Sequence, residues 1–89
     1  MFQKKTIIRN ESGLHARPAS EFVKCANKFE SKILIGRTNG EEPTNAKSIV
    51  MLLMLALCKD TEVVIQADGP DEQIAVETLV ALIDSRFSE

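Results

Sequence analysis

The chain has 89 residues, with 13 acidic and 11 basic side chains and a formal net charge of −2 at pH 7. At this length only about 60 to 65% of the unfolded surface can be buried, so one small domain over residues 1–89 is expected, with its working site on the surface. The charges are interspersed, with no basic stripe to neutralise a phosphate backbone, which argues against a nucleic-acid partner.

The first twelve residues, MFQKKTIIRNES, carry lysines but no apolar segment or small-residue cleavage site behind them, so no signal peptide is expected. The longest apolar run, Ile49 to Cys58, is ten residues, about half of what a bilayer span needs. A cytoplasmic protein without membrane insertion is the expectation. Cys25 and Cys58 are far apart with no ligand cluster beside either, so no metal site and no disulfide is expected, only two reduced, partly buried thiols.

Residues 2–9 mix β-branched and charged side chains and predict a strand, which leads into the polar loop Asn10-Glu11-Ser12-Gly13. From Pro18 the apolar residues Ala19, Phe22, Val23, Ala26 and Phe29 adopt helical spacing, predicting a helix over about 17–29 with Pro18 in its first turn. Lys32 to Arg37 predicts a strand, Asn39-Gly40 a hairpin turn, and Glu41 to Thr44 a short return strand that Pro43 confines to an edge or bulge. Asn45 or Ser48 can cap a second helix through Ile49–Cys58, ended by Lys59-Asp60. That helix is apolar nearly all round, so the larger share of it is expected in the core, with an exposed remnant for a partner.

Glu62 to Asp68 predicts the last strand, and Asp68-Gly69-Pro70-Asp71 turns into a third helix. This helix is expected to bury Ile74, Ala75, Val76, Leu79, Leu82 and Ile83 and to carry Asp71, Glu72 and Glu77 toward solvent. The order β-α-β-β-α-β-α implies an α+β fold, with an antiparallel four-stranded sheet and helices on one face.

The chemistry concentrates at GLHARPAS, residues 13–20, which holds the single histidine. Pro18 in the first helical turn puts His15 just ahead of the helix, beside N–H groups without intrahelical acceptors. The positive end of the helix dipole disfavours imidazolium and leaves a neutral ring with a nucleophilic lone pair. Arg17 can offer guanidinium donors to a phosphoryl group held there. The plainer alternative is a solvated loop histidine beside an ordinary surface arginine. No second histidine, glycine-rich phosphate loop or metal motif supports conventional catalysis. Ser48 is open in the same way, since serine before an apolar helix is usually just a cap.

GLHARPAS with Phe22-Val23, NAKSI at 45–49 and ADGPDEQIA at 67–75 resembles the histidine-containing phosphocarrier (HPr) family of the sugar phosphotransferase system, over essentially the whole chain. The resemblance implies an open-faced β-sandwich and a covalent phosphoryl carrier rather than a self-sufficient enzyme, with no cofactor. It implies that His15 accepts a phosphoryl group from enzyme I and passes it to sugar-permease A domains, with Arg17 steadying that group. Ser48 would be the site of an HPr kinase/phosphorylase, giving a form that binds a catabolite regulator, and Ile49, Val50 and Leu53 would form the docking patch. Met51, Met54 and Asp60 depart from the family's usual residues, the first two adding bulk in or under the docking helix. Two alternatives stand beside this reading: a regulatory HPr-like module acting mainly through Ser48, in which the histidine is typically lost, and a small non-catalytic α+β binding domain.

Overall fold

The computed structural model describes residues 1–14 and 16–88. Its strands are β1 (Phe2–Ile7), β2 (Lys32–Arg37), β3 (Thr44–Asn45) and β4 (Glu62–Asp68); its helices are α1 (Arg17–Ala26), α2 (Ile49–Met54) and α3 (Glu72–Asp84), followed by a tight turn over Arg86–Ser88. The strands form one antiparallel sheet in the order β1-β4-β2-β3. Phe2 lies opposite Ala67, Lys32 opposite Asp68, and Ile35 opposite Thr44. The expected α+β architecture, a four-stranded open sheet with three helices, is the one observed.

Strand alternation sets which face receives the helices. On β4, Val63, Ile65 and Ala67 are buried while Glu62 and Asp68 are exposed, and Ile33 and Ile35 do the same on β2. Against them pack Ala19, Phe22 and Ala26 of α1, Leu52 of α2 and Ala75, Val76, Leu79 and Ile83 of α3. The return strand, expected over Glu41 to Thr44, is instead the two residues Thr44–Asn45, which begin only after Pro43 because proline cannot donate to the ladder. Gly36 accommodates this crossing, for a Cβ there would lie 2.9 Å from the Pro43 Cα.

Both leading helices are shorter than their apolar spacing predicts. α1 ends at Ala26, where the Asn27 carboxamide donates to the Val23 carbonyl (2.9 Å) and to the Lys47 carbonyl (3.2 Å), tying this end to the lead-in of α2. α2 ends at Met54 rather than Cys58. Leu52 and Leu57 are both buried, yet five residues along one helix would set them about 140° apart. The chain resolves this by leaving the helix, with Ala56 in the left-handed region (φ 51°), which turns Leu57 inward. Asp60, at φ 72°, adopts the left-handed conformation that its side chain tolerates, and its N–H donates to the Ile8 carbonyl at 2.7 Å.

On α3 two expectations fail. Ile74 is 60% exposed, because it stands two residues, about 200° of rotation, from buried Val76; Leu82 is half-buried at the edge of the same face. Asp71, expected to face solvent, is only half-exposed and its carboxylate is engaged within the fold. Its carboxylate accepts hydrogen bonds from the Ser31 hydroxyl, the Ser31 N–H (2.9 Å) and the Glu30 N–H (2.9 Å), locking the α1–β2 connection to the start of α3. Gly69 allows this approach, since a Cβ there would meet Ser31 Cα at 2.7 Å. Beyond α3, Arg86 and Phe87 take consecutive left-handed conformations (φ 58° and 53°), which return Phe87 to the core.

Candidate functional site

The turn from Asn10 to Leu14, ahead of α1 in the chain, is fixed by contacts with the segment around Leu57. Leu14 is fully buried and its N–H donates to the Leu57 carbonyl at 2.8 Å. Gly13, at φ 70°, passes so close to that segment that a Cβ would lie 2.5 Å from the Leu57 oxygen, which only glycine permits. Buried Asn10 closes the turn by donating from Nδ2 to the Gly13 carbonyl at 2.7 Å. His15, the proposed acceptor, lies outside the described residues. On its far side Ala16 occupies φ 55°, ψ −130°, a region costing about 1–3 kcal/mol for a residue with a Cβ.

Ala16 is the N-cap of α1 and brings no side-chain acceptor, while Pro18 in the first turn brings no N–H. The N-terminal end of α1 is therefore uncapped by side chains, the arrangement that favours an anion. Arg17 is the first helical residue. Its guanidinium pairs with the Glu21 carboxylate one turn on and donates to the Phe87 carbonyl at 3.4 Å. Sequence reasoning overlooked both partners: the i, i+4 spacing of Arg17 and Glu21 is legible, whereas the Phe87 contact follows from the C-terminal turn.

Ser48 is the N-cap of α2, its Oγ accepting from the Met51 N–H at 3.3 Å, and Asn45 instead receives the Lys47 N–H on its side chain (2.9 Å). Of the six α2 residues only Leu52 is buried. Ile49, Val50, Met51, Leu53 and Met54 are between 38 and 75% exposed. The expectation that the core takes the larger share of this helix is thus corrected: a six-residue helix turns one residue inward and leaves the rest to solvent. Met51 and Met54, read from sequence as departures in or under the patch, are part of that exposed surface and line a groove with Pro43, Thr44 and Leu55.

Among the described residues no group of side chains is placed to hold a metal ion, and no helix is long and apolar enough to cross a membrane. Both thiols are free. Cys25 is half-buried, and burial pushes its thiol above the ordinary range. Cys58, expected to be partly buried, is exposed because the chain has left α2 by that point.

Residues 2–85 match the family model described as "PTS HPr component phosphorylation site". The phosphocarrier protein HPr of Haemophilus influenzae is 49% identical over 83 residues, covering 93% of this chain and 95% of that protein. The HPr-like protein Crh of Bacillus subtilis is 43% identical over 83 residues, with the same coverage. The crystal structure of HPr-C-His from Thermoanaerobacter tengcongensis superposes with a TM-score of 0.94 at 42% identity, covering 100% of this chain and 98% of that one. The chain belongs to the HPr family of phosphocarrier proteins of the phosphotransferase system.

Proposed function

We propose that residues 1–89 act as one phosphoryl carrier working between two other proteins, with His15 as the acceptor. A lone-pair nitrogen of its neutral ring attacks the phosphorus held on enzyme I. The new N–P bond forms as the donor's bond to phosphorus breaks, and the donor keeps that electron pair. Reversal of the same exchange on a permease A domain returns His15 to its starting state. Neither step needs a cofactor, and neither makes the chain an enzyme in its own right.

The observation that carries this reading is the match of a phosphorylation-site family across residues 2–85, together with His15 and Arg17 in the segment His-Ala-Arg-Pro. The positions of Arg17, at the uncapped start of α1, and of the exposed Ile49, Val50 and Leu53 on α2 support the roles of phosphoryl stabiliser and docking patch. A cytoplasmic location follows from partners of that kind.

The test is a chase. Labelled with enzyme I and phosphoenolpyruvate, the chain is expected to lose its label to an added permease A domain within the time course of the reaction. A label that stays on the chain would overturn the relay.

A second reading is favoured by the Crh relative: a regulatory module phosphorylated on Ser48 and read by a catabolite regulator. It predicts label from ATP and an HPr kinase/phosphorylase but none from enzyme I. The two modes are compatible, since a phosphate on Ser48 stands at a helix start, where N–H groups favour an anion.

A further inference from the structure

A second basic site lies behind the Asn10–Gly13 turn. Arg9, Asn10, Glu11, Lys59 and Arg86, drawn from the end of β1, the α2–β4 connection and the C-terminal turn, line a cavity of about 250 Å³, smaller than the range of about 300–1,000 Å³ typical of drug-sized ligands. Three cations therefore converge on a space suited to a small ion or headgroup. Two are partly neutralised: Arg9 Nε lies 3.5 Å from Asp84 Oδ1, and Lys59 Nζ lies 2.8 Å from Glu11 Oε1. Lys59 draws the Glu11 carboxyl down and Glu11 shifts the Lys59 ammonium up; exposed Arg86 is close enough to act on both, adding a smaller pull on Glu11 and opposing the shift of Lys59.

The two carboxylates are held differently. Asp84 also accepts the Thr6 hydroxyl and so belongs to the α3–β1 packing. Glu11 is 87% exposed at its side chain, and a bridge of that exposure is worth little, so it can swing out to water. With Glu11 displaced, the three cations outnumber the carboxylates beside them, Asp84 at Arg9 and Asp60 near Lys59, which leaves a net positive charge that favours a phosphate anion. Two of the three cations are arginines, whose planar donor forks fit phosphate oxygens in pairs.

We propose that the cavity between Arg9, Lys59 and Arg86 binds a small phosphate dianion, free or as a monoester, separately from the phosphoryl group assigned to His15. The ligand displaces Glu11 from Lys59 and takes Arg86 as its main partner. The two sites share the C-terminal turn, because the Phe87 carbonyl meets Arg17 while Arg86 lines the cavity.

The experiment is a titration of the full chain with inorganic phosphate, and separately with glycerol 3-phosphate, against chloride at equal ionic strength, followed by nuclear magnetic resonance of the backbone amides and arginine Nε groups. Saturable shifts at Glu11, Lys59 and the Arg9 and Arg86 Nε groups are expected. A monoester that binds as tightly as inorganic phosphate identifies an esterified ligand, and weaker monoester binding identifies free phosphate. Arg86→Gln is expected to weaken binding at least fivefold and Glu11→Gln to tighten it at least twofold, while Arg17→Gln leaves it within twofold. Lys59→Gln, expected to weaken binding at least threefold, serves if Arg86→Gln disturbs the turn. Shifts that do not saturate against chloride, that persist unchanged in Arg86→Gln and Lys59→Gln, or that vanish in Arg17→Gln would overturn the site.

Discussion

Two residues beside the proposed chemistry carry costs that a substitution can reveal. Ala16 holds a backbone conformation that suits glycine, between the proposed acceptor His15 and an arginine tied to Glu21 and Phe87. Ala16→Gly is expected to raise stability by about 1 kcal/mol by releasing that strain, which thermal unfolding at neutral pH would register as a rise of about 4–8 °C. An unchanged or lower midpoint would mean that the conformation costs nothing. Ser48 presents the opposite case, for its hydroxyl is already occupied as a cap. Ser48→Ala should cost about 1 kcal/mol and leave phosphorylation of His15 by enzyme I nearly intact. Ser48→Asp keeps an acceptor at the cap but adds charge at the rim of the exposed α2 surface, and is expected to slow that phosphorylation at least several-fold without unfolding the chain. Rates measured for both variants beside their melting curves separate cap from switch.

Among the elements, α2 divides cleanly into one anchor and one surface. Leu52 is its single buried residue, so Leu52→Ala is expected to cost about 2–5 kcal/mol. Leu53, the next residue, is exposed; Leu53→Ser should change stability by less than about 0.5 kcal/mol while raising the KM for enzyme I. Denaturant unfolding and phosphorylation kinetics on the two variants should give opposite patterns. The period-2 run of β4 and the 3.6-residue spacing of α1 were legible in the sequence, because each buries one regular face. The length of α2 was not. Its apolar run serves three purposes, since Leu52 goes to the core, Val50 and Met54 to solvent, and Leu57 to the core again after a left-handed turn at Ala56. Hydrophobicity alone does not distinguish those uses. The placement of Arg17 at the start of α1 and of Ser48 at the start of α2 was legible through helix-start signals, whereas the Arg17–Phe87 contact depends on a C-terminal turn with no local signature.

Across the whole molecule, long-range polar contacts tie separate segments together, and the Asp71 lock between the α1–β2 connection and α3 is the densest of them. The Ser31 hydroxyl first, then the Glu30 N–H, hold the Asp71 carboxyl below its usual value. A carboxyl lowered on folding stabilises fully above the ordinary aspartate value of about 3.9 and loses that contribution as pH falls through the lower, folded value. The melting temperature should therefore fall below about pH 4, and fall less steeply for Asp71→Asn, which has no such proton to take up. Equal slopes for the two proteins over that acid range would show that the lock is not charge-assisted.

The same framework holds Leu14 and Arg17, on either side of residue 15 in the sequence, in place. The central claim is that this residue, and no other, carries the transferred group. The most direct measurement is the acid stability and position of the label after reaction with enzyme I and phosphoenolpyruvate, in the parent chain and in His15→Ala. One acid-labile phosphoryl group on His15 is predicted for the parent, and none for His15→Ala, whose melting temperature stays within a few degrees. Acid-labile label persisting in His15→Ala, or no enzyme I-dependent label on the folded parent chain, would contradict the account.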